Sequence, residues 1–194
     1  MIRWLRSLFP SAKPGPEAPF IPPAWQPPGA TVAERAIVIA FQKASDRKAR
    51  RDCVIRALES GLDTLLLPLG FQREEREWLK TVPKGRVVVQ IKRFREGVDA
   101  TLVVGFLPKP WARPREVSVD QLTMQLPNFV QMGERTFVRH GRIDYAIADH
   151  DLSVLEFPLS VLRDRALPWA MDLSGGRYPD WKPYRDRPLQ SDQT

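Results

Sequence analysis

The sequence predicts an α+β fold, in which an antiparallel sheet (a three-strand meander plus a hairpin) packs against N-terminal and C-terminal helices. Three observations carry this. Apolar residues recur at three- and four-residue spacing from Cys53 to Leu66. The period then changes to alternation through three short runs separated by turn residues. A proline-marked helical segment returns at Pro158.

The chain has 194 residues, and its 19 prolines crowd toward the N-terminus. Pro10, Pro14, Pro16, Pro19, Pro22, Pro23, Pro27 and Pro28 remove amide donors and fix the backbone, so residues 1–30 read as a proline-rich disordered tail or linker. Residues 1–9 mix Ile2, Trp4, Leu5, Leu8 and Phe9 with Arg3 and Arg6, an opening that falls short of a signal peptide's apolar core. Weak membrane association through them is the less favoured reading, and no stretch of about 18 apolar residues offers a span. The core is expected in one compact domain over 31–171, followed by a flexible tail over 172–194.

Within that domain, Thr31 and Glu34 have capping-box spacing, so a helix is expected to about Gln42. The helix from Asp46 to Leu67 follows. It places Cys53, Val54, Ala57, Leu58, Gly61, Leu62, Leu65 and Leu66 on its core face and Arg50, Arg51, Arg56, Glu59 and Asp63 mostly opposite. Pro68 and Gly70 stop it. Strands at Arg76–Val82, Arg86–Phe94 and Ala100–Leu107 are joined by Pro83-Lys-Gly85 and Arg95-Glu-Gly97, turns short enough to force antiparallel pairing. A short helix is predicted over Val119–Gln125, and a hairpin joins Thr136–Arg139 to Ile143–Ala148 around His140-Gly141. A final helix starts at Pro158 and ends near Arg165 as Pro168 approaches.

The phrase Leu65-Leu-Leu-Pro-Leu-Gly-Phe71, Arg73, the Trp78 strand, Val87-Val-Val-Gln-Ile91, Thr101-Leu-Val-Val-Gly105 and Ala166-Leu-Pro-Trp169 together resemble a family of small bacterial domains, domain of unknown function 4304, over about residues 48–171. The resemblance implies a compact α+β fold. It carries over no catalytic residue.

Chemistry is thinly signalled. Cys53 is the lone cysteine, which excludes an internal disulfide and fits a reducing, cytoplasmic compartment. Its place on the apolar face predicts an inert packed thiol. His140, Asp144, Asp149, His150 and Asp151 contain metal-ligating types, but the histidines lack helical i, i+4 spacing. A polar turn or cap is the simpler reading, and no cofactor or metal is expected. No serine elbow or phosphate-cradling glycine loop occurs, leaving an enzyme with an unrecognised site as the third choice.

The net charge of +7 gathers in two stretches, 35–56 and 84–95. Lys92, Arg93, Phe94 and Arg95 interleave an aromatic ring with cations on a strand, and Arg47, Arg50 and Arg51 could add phosphate contacts, so nucleic acid is one partner to weigh. Phe94 shares period-two parity with Gln90 and Lys92 and is expected on the sheet's outer face. Trp111, Tyr178, Trp181 and Tyr184 fall outside predicted elements, as interface anchors often do. The leading expectation is therefore a non-enzymatic protein-binding module, adaptor- or immunity-like, with nucleic-acid binding as the alternative.

Overall fold

The computed structural model describes residues 31–94, 97–109, 122–131, 142–177 and 180–190. Helix α1 (Val32–Lys43) opens on the expected capping box: Glu34 N–H donates to Thr31 Oγ1 at 3.2 Å, and Thr31 N–H to Glu34 Oε2 at 2.6 Å. Helix α2 (Arg47–Leu66) buries Val54, Ile55, Leu58, Leu62 and Leu66. Its core stripe is turned relative to the expected one, because Ile55 lies about 60° from Leu58 around the helix whereas Cys53 lies about 140° away. Cys53 is thus exposed rather than packed. At the C-terminus, Phe71 N–H reaches back to Leu66 O at 3.2 Å through Gly70, whose φ of 83° is one that side-chain-bearing residues rarely adopt.

The expected meander is present as β2 (Glu77–Val82), β3 (Gly85–Arg93) and β4 (Asp99–Pro108), preceded by a three-residue β1 (Gln72–Glu74). Antiparallel pairing joins β1 to β2, β2 to β3 and β3 to β4, with Val89 opposite Val104 and Arg93 opposite Ala100. The far flank of β4 is shared end to end by β5 (Thr123–Gln125) and β6 (Arg142–Asp144) in a six-stranded sheet. The helix expected over 119–125 is therefore a strand at Thr123–Gln125, held by the free hydrogen-bonding edge of β4. Gly105 admits it: a Cβ there would stand 2.3 Å from Leu122 O.

The second arm of the expected hairpin, Ile143–Ala148, is strand only as far as Asp144. Ile143 pairs with Ala100 of β4, and Tyr145–His150 is helix α3 rather than strand. Asp144 makes the switch, its carboxylate accepting from Ala146 N–H at 2.9 Å and Ile147 N–H at 3.2 Å. The other arm, 136–139, lies outside the described residues.

Pro168 does not end the last helical rod. Helix α4 (Glu156–Val161) runs through a π turn (Leu162–Ala166) into α5 (Leu167–Ser174). The π turn bonds Leu167 N–H to Leu162 O, and α5 restarts with Pro168 in its first turn, where no amide donor is needed. The same turn grips the segment after it. Arg165, 1% exposed, donates from Nε to Arg187 O at 2.7 Å and from Nη1 to Phe129 O at 3.0 Å. Asp164 accepts from Gln190 N–H at 2.9 Å. Tyr184, in the short helix α6 (Lys182–Arg185), is buried in the core and donates its hydroxyl to Asp172. The expectation of a loose tail from 172 onward is corrected for the described part: residues 172–177 and 180–190 complete the domain.

One core lies between the sheet and the helices, built from Val87, Val89 and Ile91 of β3, Leu102, Val104 and Phe106 of β4, Leu58 and Leu62 of α2, and Trp169 of α5. The other face of the central strands is buried too, at Val88, Thr101, Val103 and Leu107. No described helix is long and apolar enough to cross a membrane.

Candidate functional site

The basic-aromatic strand is not one surface. Alternation along β3 sends Lys92 outward in the row of Gln90, and Arg93 inward in the row of Val87, Val89 and Ile91. Phe94 follows the strand half-buried, with the Arg142 guanidinium 4.4 Å from its ring centre. One face of that ring is thereby taken by a cation. Arg95 lies outside the described residues. Of the α2 cations, Arg47 is exposed. Arg50 is spent on Asp149, donating to Oδ2 from Nε at 2.9 Å and Nη2 at 2.6 Å, with Phe41 beneath it at 5.4 Å.

Trp111 and Tyr178 are outside the described residues. Trp181 packs partly against the core with Arg185 5.5 Å from its ring centre. Tyr184 is interior, so its aromatic face is committed to this chain. Of the expected metal-ligating types, Asp149 holds Arg50 and Asp151 caps Ser153 N–H at 3.0 Å, the turn-and-cap role read for it. His150 closes α3, and His140 is not among the described residues. No group of three His, Cys, Asp or Glu side chains that could hold a metal occurs among the described residues.

The structure assembles something else at the β3 end of the sheet. Arg51 from α2, Arg76 from the turn between β1 and β2, and Tyr145 from the start of α3 each lie near enough to Arg93 on the inner face to act on it electrostatically, and the three arginines act likewise on Tyr145. Tyr145 is fully buried, yet its hydroxyl has no hydrogen-bond partner, and neither do the buried Nε atoms of Arg51 and Arg93. Burial holds the Arg93 guanidinium below its ordinary range, and Arg76 and Arg51 push it further the same way. Burial raises the Tyr145 phenol to about 12, so at neutral pH it is a proton donor.

Among the described residues, carboxylates compensate this charge at long range. Asp52 approaches Arg51 only to 3.7 Å, and Glu59 approaches Arg76 only to 4.0 Å while bonding Arg73 at 2.7 Å. Asp99 is engaged by Arg142 at 3.3 Å. Among the described residues the cluster carries more cations than it has closely bonded carboxylates, and such an excess favours an anion.

Sequence reasoning placed Arg51 and Arg93 among nucleic-acid contacts and overlooked Arg76 and Tyr145. Four side chains from four separated elements leave no spacing to recognise.

Three comparisons add no relative. No family model matches the chain, no curated protein matches it, and no solved structure matches it.

Proposed function

We propose that this α+β chain is a non-enzymatic binding module, adaptor- or immunity-like, which docks an acidic group of a partner protein against Arg51, Arg76 and Arg93 beside Tyr145. The observation that carries this reading is that three buried groups able to donate, Arg51 Nε, Arg93 Nε and Tyr145 Oη, lack hydrogen-bond partners on residues within electrostatic reach of one another. Leaving one buried polar group unsatisfied costs about 1–3 kcal/mol, so folded chains keep few of them. Two of the three are guanidinium N–H groups that can only donate and the third is a hydroxyl that can donate, so together they suit an acceptor. Guanidinium groups and a phenol titrating near 12 exchange no protons at neutral pH, which supports binding over turnover.

The geometry favours a discrete acidic group over a nucleic-acid track. Lys92 and Arg93 point to opposite faces, Arg50 is ion-paired, and Arg142 covers Phe94. The test is capture of partners by the full chain and by an Arg51→Gln/Arg93→Gln variant, each with and without nuclease. A stoichiometric protein that survives nuclease and is lost with the variant is expected. A protein retained equally by the variant removes the site from the reading. Recovery of nucleic acid alone replaces it with the nucleic-acid alternative.

A further inference from the structure

We infer that the outward face of helix α1 docks on an anionic lipid surface, a contact independent of the acidic-group site.

The make-up of the helix supports this first. Apolar residues run almost all round α1, at Val32 and Ala33 and then unbroken from Ala36 to Phe41. A helix apolar on every side is ordinarily covered on every side. Here one side is covered: Phe41 is buried, and Ile37 and Val38 pack half-buried against the core. At about 100° per residue Val32 stands about 180° from Phe41, and Ala36, Ile39 and Lys43 fall within about 40° of Val32. All four are exposed, Val32 by 83% and Ile39 by 40%. Apolar residues scattered singly are ordinary on a surface, whereas neighbours along one face mark a contact.

Charge supports it second. Every exposed residue of α1 is apolar or basic, Arg35 and Lys43 joining Val32, Ile39 and the alanines. The acid of the helix, Glu34, is half-buried and accepts from Thr31 N–H. Past Lys43 the chain adds exposed Arg47 and Lys48 against Asp46. Apolar and cationic side chains without acids suit a bilayer that carries negative headgroups. The apolar groups enter the acyl boundary, and the long cationic stems reach the headgroups above it.

Other occupants fit this face less well. Residues 1–9, or a second copy of α1 set face to face, would bring cations and no exposed acid to Arg35 and Lys43. A stable interface between proteins takes about 20–30 residues a side, far more than one helix face supplies. Shallow docking on lipid needs no such area, because apolar burial and electrostatic attraction add from small increments.

Flotation of the full chain with vesicles tests the inference, using phosphatidylcholine alone and phosphatidylcholine with about 30% phosphatidylserine. Binding to the anionic vesicles is expected to be at least about tenfold tighter and to weaken as salt rises. Absence of binding, or equal binding to both vesicles, overturns the inference.

Two variants place the contact on α1. Arg35→Gln/Lys43→Gln should weaken binding about twentyfold, each cation near a charged bilayer contributing about fivefold. Val32→Ser/Ile39→Ser keeps every charge and should weaken binding at least about tenfold. All four positions are exposed, and serine is close to valine and isoleucine in helix propensity, so circular dichroism and the melting temperature should match the wild type. Undiminished binding in either variant overturns the inference, and residues 1–9 would then be the next part of the chain to vary. None of these outcomes bears on partner capture by Arg51→Gln/Arg93→Gln, so the two readings fail separately.

Discussion

The indole Nε1 of Trp78 donates to Asp63 Oδ1 at 2.7 Å, tying the buried centre of β2 to the flank of α2. The second oxygen of Asp63 takes Arg73 Nη1 at 2.7 Å, and that guanidinium lies 5.2 Å from the Trp78 ring centre. One carboxylate thus satisfies a core donor and anchors the cation beside it. Asp63→Ala strands the indole N–H and should cost about 1–3 kcal/mol. Asp63→Asn keeps an acceptor and should cost less. Thermal unfolding of the pair reads the difference as roughly 2–4 °C per kcal/mol for a chain of this size.

Arg165 joins the π turn to two distant carbonyls, Phe129 O and Arg187 O. Replacing it by Met leaves both without this donor and should lower stability by about 2–4 kcal/mol. Local release should accompany the global loss. Limited proteolysis within 180–190 should be faster in Arg165→Met than in the wild type under native conditions.

Glu75, between β1 and β2, has a φ of 57°, and Arg73 Nε donates to its carbonyl at 3.1 Å. A left-handed conformation costs a side-chain-bearing residue about 1–2 kcal/mol, and glycine removes that cost at some entropic expense. Glu75→Gly should therefore raise the denaturation midpoint by the equivalent of up to about 1 kcal/mol. A clear loss of stability would show that the Glu75 side chain itself contributes.

Tyr145 makes stability sensitive to alkali. Its phenol is raised by burial from 10.0 to about 12 in the folded chain. Between those values the folded state keeps a proton that the unfolded state releases. This contribution is fully present below pH 10 and is lost as pH rises through about 12. The melting temperature should drop on going from about pH 9 to about pH 11, and Tyr145→Phe should drop less.

The legible parts of the fold were those written locally. The Thr31 capping box, Pro68 and Gly70 after α2, and the alternation and turns of β2 to β4 each concern neighbours in sequence. What was misread depends on distant partners. Thr123–Gln125 is a strand because β4 has an edge to fill, and Tyr145–His150 is a helix because Asp144 caps it after Ile143 has found Ala100. Pro168 looked like a stop because a π turn that lets a rod pass through proline has no spacing of its own. The candidate site was the least legible. Arg51 and Arg93 stood out only as charge, and Tyr145 became interesting only once its hydroxyl was seen buried and unpartnered.

The margins of the sheet bear on how copies of the chain meet one another. On one side lies β1, three exposed polar residues, and on the other β5 and β6, three residues each. The long, apolar β3 and β4, whose backbone would be the best template for stacking, are paired on both flanks over most of their length, β3 at Gly85–Gln90 and β4 at 99–101 and 103–105. Gln72, Arg73 and Glu74 are a poor seed for edge-to-edge growth, being too short, too polar and already followed by the left-handed Glu75. Among the described residues the fold thereby keeps its longest apolar strands in the interior of the sheet, and their backbone is largely withheld from a neighbouring copy.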